Sequence, residues 1–191
     1  MDFFSNIAVY ISLILAAAVT RNLSGLAYLV ENRRRVTWEW SFVAWGLTFV
    51  FFFAAGWWNL VSGWRLLHAY SISQFFFVIL QPLLAYVVVA LWFPRFTPKG
   101  QIDLKAHLDQ VRSWVYPVAA IYVLLYPVNE VILLASKGEP VATGLDWPQV
   151  IATVAIAALV WAGAVVRRVQ YDRFLVVAVT VLFVFIYAFL A

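Results

Sequence analysis

The chain has 191 residues, 65% of them hydrophobic and only 12% charged, with a mean hydropathy of +0.91; so little polar surface excludes a soluble domain of ordinary composition. Its net charge of +4 and pI near 9.5 do not point to nucleic acid, because the basic residues sit at the ends of apolar runs, where they orient a chain in a membrane. With no cysteine, disulfides, thiolate catalysis, thiolate metal sites and iron–sulfur clusters are excluded.

Six apolar segments are long enough to span a bilayer: about residues 3–30, 40–60, 72–93, 114–135, 147–166 and 174–190. The expected fold is therefore all-α, a six-transmembrane-helix bundle filling residues 1–191 as a single transmembrane domain. The N-terminal run lacks the positive n-region of a cleavable signal and reads as a retained span. Ten basic residues fall in the first, third and fifth connections (Arg33, Arg34, Arg35; Arg95, Lys99, Lys105, Arg112; Arg167, Arg168, Arg173), and only Arg65 and Lys137 in the second and fourth. The positive-inside rule makes the odd connections cytoplasmic and places both termini outside.

In the first span, Tyr10, Ala17, Arg21, Ser24 and Tyr28 share a face beside a small-residue row, Ala16, Thr20 and Ser24, and that side is expected to face protein. Arg21 either snorkels to the headgroups or pairs with Glu39 at the head of the second span. Tryptophans flank the second span. Trp38, Trp40 and Trp45 read as an inner aromatic belt and Trp57, Trp58 and Trp64 as an outer one. Trp57, Trp58, Asn59, Trp64, Arg65 and His68 also form a candidate outer vestibule.

The third span carries Gln81 near its middle, just before Pro82, as helix glue or a group reaching a cavity. Residues 101–113 set Ile102, Leu108 and Val111 among charged residues, with about one apolar position in three, which predicts a short amphipathic helix on the cytoplasmic surface, able to touch anionic lipid. The fourth span is the costliest to bury. It holds two Tyr-Pro pairs, at Tyr116 and Tyr126, with Pro117 read as a helix-start residue and Pro127 as an interior kink. Asn129 and Glu130 follow, and an ionisable group inside a span marks a functional site. Small residues Ala152, Ala155, Ala158, Ala162 and Gly163 stripe the fifth span, which suits close packing within the bundle or between subunits; the sixth span offers no chemistry.

No catalytic signature appears: neither histidine lies in HExxH, there is no GxSxG elbow and no Walker lysine. His68 and His107 fall on opposite sides of the membrane and cannot share a haem iron. No catalytic residue, metal site or cofactor is therefore expected. What remains is a polar series at successive depths, Arg21 and Glu39, then Gln81, then Tyr126, Asn129 and Glu130, of the kind that lines an ion or proton path.

The run into Leu26-Ala27-Tyr28 before Arg33-Arg34-Arg35, the exit at Trp57-Trp58 and the stretch from Asp103 to Trp114 resemble a loose group of six-span bacterial inner-membrane proteins with no assigned activity. The resemblance implies a bacterial inner-membrane location and six helices, and no function. The first functional reading is a channel or transporter for a proton, ion or small polar solute; the second is a noncatalytic scaffold or lipid-interacting subunit; the third is an enzyme on a lipid substrate using Glu130 or Glu39. Expected partners are membrane lipids, the solute and further copies of the chain as a homodimer or higher homo-oligomer, with no nucleic acid.

Overall fold

The computed structural model describes residues 3–64, 71–94 and 100–189. Its helices are α1 Phe3–Glu31, α2 Trp40–Trp64, α3 Ile72–Trp92, α4 Leu104–Lys137, the single turn α5 Val141–Gly144, α6 Trp147–Ala162 and α7 Val169–Phe189. The chain is 86% helical, and α1 to α4 are long and apolar enough to cross a membrane, with α6 a shorter apolar helix. This is an all-α membrane protein.

Local sequence explains the helix starts. Ser71 and Gln74 make a reciprocal capping box for α3, and Asp103 and Asp146 cap α4 and α6 by accepting from the N–H three residues on. α4 ends on Gly138, whose positive φ of 72° is readily taken by glycine while its N–H closes back on Leu134 and Ala135 carbonyls.

α4 corrects the expected surface helix. Residues 104–113 are not a separate amphipathic element but the first turns of one continuous 34-residue helix. At 1.5 Å per residue it is about 51 Å long, well beyond the roughly 30 Å hydrocarbon core. Leu104, Leu108 and Arg112 are buried, so this segment packs on neighbouring helices instead of lying on lipid. Ile102, expected on the same surface helix, precedes α4 in the two-residue strand β2 (Ile102–Asp103), which pairs in parallel with β1 (Val36–Thr37). Pro117 is consequently an interior proline, as Pro127 is.

α1 also turns differently from expectation. Its buried positions are Ile7, Ile11, Leu15, Ala18, Asn22, Gly25 and Leu29, a seam at three- and four-residue steps that packs chiefly on α3. Tyr10, Ala16, Ala17, Thr20 and Ser24 face outward. Gly25 belongs to the buried seam, and the Phe93 ring sits over it in the space any Cβ would need. From α1 the packing passes to α3, then α4, then α6, while α2 bridges α1 and α7.

The first, third and fifth connections meet at one end of the bundle. There β1 and β2 pair Val36 with Ile102, and the Arg35 guanidinium donates to the Gly100 carbonyl at 2.6 and 2.9 Å. Trp45 and Trp64, expected in the belts, are each 1% exposed, whereas Trp38, Trp40 and Trp58 are outward. Trp45 instead packs edge-on to Trp92 and Tyr116 in an aromatic core that includes Phe42 stacked on Trp92.

Candidate functional site

At the end away from the arginines, α2, α4 and α6 part around a cleft of about 230 Å³. Each helix contributes one face. α4 supplies Tyr126, Asn129, Glu130 and Leu133, α2 supplies Asn59, Ser62 and Gly63, and α6 supplies Gln149, Val150 and Thr153. These sets are spaced by three and four residues, which is why each shares one side of its helix. Pro127 lies in the wall between Tyr126 and Asn129 and withholds one backbone N–H from α4.

Glu130 is half-buried and is the only charged side chain lining the cleft among the described residues. The Asp146 carboxylate stands near enough to repel a charge on it. No lysine or arginine pairs with it among the described residues. The neighbouring polar groups are fixed in direction. Ser62 Oγ donates to Trp58 O at 2.7 Å, Thr153 Oγ1 donates to Gln149 O at 2.8 Å, and Tyr126 Oη donates to Phe52 O at 3.1 Å. Trp64 Nε1 donates to Asn129 Oδ1 at 2.6 Å and so orients that amide.

The cleft thus joins five of the residues singled out in the sequence: Asn59, Tyr126, Pro127, Asn129 and Glu130. Trp64 supports it from behind. Trp57 turns to α1, donating to Ser12 Oγ at 2.9 Å, and Trp58 points outward, so neither lines the cleft. Arg65 and His68 lie outside the described residues, as do Arg95 and Lys99.

Gln81, Arg21 and Glu39 do not line the cleft either. Gln81 is 2% exposed on α3, its Oε1 without a hydrogen-bond partner among the described residues. Arg21 is half-buried on α1. Of the two readings of Arg21, snorkelling or pairing with Glu39, the second is not seen among the described residues, because Glu39 takes a two-pronged partner instead: Arg173 Nε and Nη2 each stand 3.0 Å from a Glu39 carboxylate oxygen. Glu39 precedes α2 and Arg173 opens α7, and the planar guanidinium fits both carboxylate oxygens at once. That guanidinium, helped by Ser41 against the cost of burial, holds the Glu39 carboxyl below its ordinary range.

Two groups of functional weight escape a reading of the sequence. Gln149 and Thr153 are polar residues one turn apart at the start of an otherwise Ala/Val/Ile helix, a pattern that could have marked them. The Arg112–Asp172–Tyr116 cluster had no such signal. Arg112 Nη2 meets Asp172 Oδ2 at 2.8 Å, Tyr116 Oη donates to Asp172 Oδ1 at 3.0 Å, and Arg112 Nη1 donates to the Gly163 and Val166 carbonyls. The arginine counted as a loop charge therefore closes the C-terminal end of α6, where a cation is favoured. Asp172 belongs to α7, which begins five residues before the expected sixth span.

No family model, curated protein or solved structure matches this chain. Its function has to be read from the cleft itself.

Proposed function

We propose that this chain is a small channel or transporter of a bacterial inner membrane, that it crosses as six spans with both termini outside, and that the Glu130 cleft is its outward-facing solute site. The carrying observation is the convergence of Asn59, Ser62, Tyr126, Asn129, Glu130, Gln149 and Thr153, drawn from three helices, on one cleft of about 230 Å³. Polar groups inside a bundle are retained where they meet a partner or a wet cavity. Here seven polar side chains meet space.

The interior proline beside the site supports movement of a solute past it. Pro127 interrupts the α4 ladder one residue from Tyr126 and three from Glu130, so the outer part of α4 can tilt without breaking a full set of bonds. The test is flux in reconstituted vesicles. Glu130→Gln should leave the protein folded and change solute flux or its pH dependence; unchanged flux would sink the proposal.

A second reading, a scaffold or lipid-interacting subunit, draws on the outward Trp38 and Trp40 beside Arg33 and Arg34, an arrangement suited to anionic headgroups. Purification in mild detergent separates the two. A retained protein partner or tightly held lipid supports the scaffold, and a protein that stays alone without lipid counts against it.

A further inference from the structure

We propose that the ligand of the Glu130 cleft is a small organic monocation carrying N–H donors, a primary alkylammonium solute. The inference rests on the reading of this cleft as a solute site.

Charge comes first. Glu130 is the only ionisable lining group other than the Tyr126 phenol among the described residues, and the Asp146 carboxylate adds a second negative field at its edge. An anion placed there would meet repulsion from both. A neutral solute would leave the Glu130 carboxylate without a charge to offset it, half-buried as it is.

Hydrogen-bond direction narrows the class further. A hydroxyl has one proton to give, and Ser62, Thr153 and Tyr126 each direct theirs to a backbone carbonyl of a helix. What these oxygens turn to the cleft is lone pairs. With the Glu130 carboxylate they offer acceptors to an ammonium head, which has three donors and no acceptor, while the carboxamides of Asn59, Asn129 and Gln149 bring donors as well as acceptors to the same lining.

Size and the remaining wall decide against a bare metal ion. Hard cations require oxygens closed around them at roughly 2.0–2.6 Å, whereas a cleft of about 230 Å³ with one carboxylate leaves most of that shell unfilled. Pro127, Leu133 and Val150 form an apolar patch beside the acceptors. An alkyl tail and an ammonium head therefore each find a matching surface.

Binding to the full-length protein in detergent can be followed by isothermal titration with propylammonium chloride, against 1-propanol, sodium propionate and sodium chloride. Propylammonium should bind saturably while the alcohol and the carboxylate do not. Glu130→Gln, which keeps the shape of the side chain, should weaken it by about tenfold or more, the scale of one charged hydrogen bond. Thr153→Val, a milder change in the same lining, should weaken it severalfold. Equal binding of 1-propanol, displacement by sodium at comparable concentration, undiminished binding to Glu130→Gln, or no propylammonium binding overturns the assignment. Vesicle flux is scored separately. Ammonium binding without flux keeps this ligand class and removes the transporter, whereas Glu130-dependent flux of an uncharged solute without ammonium binding keeps the transporter and removes the ligand class.

Discussion

Arg112 and Asp172 meet at 2.8 Å with both side chains 1% exposed, tying the first turns of α4 to the first turn of α7. The pair is buried but not isolated. Arg112 also reaches Asp109 at 2.9 Å and the carbonyls that end α6, and Tyr116 satisfies the second oxygen of Asp172. Gly163 permits this packing, since a Cβ there would stand 3.0 Å from the Tyr116 ring. Three helices are thereby fixed at the end opposite the cleft, which leaves α4 anchored at one end and interrupted by Pro127 near the other.

Removing Arg112 leaves the Asp172 carboxylate buried without a cation, and neutralising Asp172 leaves the buried guanidinium only the half-exposed Asp109. Arg112→Leu and Asp172→Asn should each destabilise the protein by about 3–5 kcal/mol, and the double variant Arg112→Met/Asp172→Leu by less than the sum of the singles. Denaturation by sodium dodecyl sulfate, followed by circular dichroism, measures all three. A single variant as stable as the native chain would show that the pair is not a clamp.

The existence of the long helices was legible because runs of about 20 apolar residues have few other uses. Their joins were less so. Residues 101–113 carry enough charge to look like a surface element, yet nothing between Asp103 and Ser113 stops a helix, and a packed neighbour turned Leu104, Leu108 and Arg112 inward. No local pattern reveals that Arg112 has a carboxylate waiting sixty positions on. Glu130, by contrast, stood out alone in an apolar run, and the i to i+4 step to Tyr126 placed both on one face. The rest of the proposed polar series, Arg21, Glu39 and Gln81, lies away from the cleft because depth does not fix direction: Gln81 is buried on α3 and Glu39, just before α2, turns to Arg173.

Gly56 supplies a second prediction. Tyr122 and Tyr126 both bring their hydroxyls to the Phe52 carbonyl, at 3.3 and 3.1 Å, and a Cβ on Gly56 would lie 2.6 Å from each oxygen. Gly56→Ala should cost on the order of 1–3 kcal/mol, the usual scale of overpacking. Adding Tyr122→Phe and Tyr126→Phe should recover part of it, because those changes remove the two oxygens in the way. If the triple variant were no more stable than Gly56→Ala, the clash would not be the cause.

The Glu39–Arg173 contact makes a pH prediction. The folded state holds the Glu39 carboxyl below its ordinary range, so its contribution is complete above the unfolded carboxyl pKa and is lost as pH falls through the lowered folded value. Stability of the native chain minus that of Glu39→Gln should therefore be constant near neutrality and shrink in acid. Thermal melts in detergent between neutral and acidic pH give that difference. A gap that widened as pH fell would contradict the assignment.

Water access at Glu130 is the measurement on which the cleft stands. The chain has no cysteine, so a single Glu130→Cys reports without background, and a Gln81→Cys control samples a position 2% exposed between helices. A membrane-impermeant maleimide applied to the side opposite the arginine-rich connections should label position 130 rapidly and position 81 only after denaturation. Labelling of both at similar rates would mean that the bundle opens generally. Protection of position 130 in a folded protein would mean a closed cleft, and the weight would move to the scaffold. Val150→Cys, which lines the same cleft and leaves the Glu130 carboxylate in place, should be protected by propylammonium but not by 1-propanol, which would connect the wet cleft to the ligand its charge favours. Because α4 is clamped through Arg112 and interrupted at Pro127, that protection should persist in Arg173→Gln, which loosens the far end without touching the cleft.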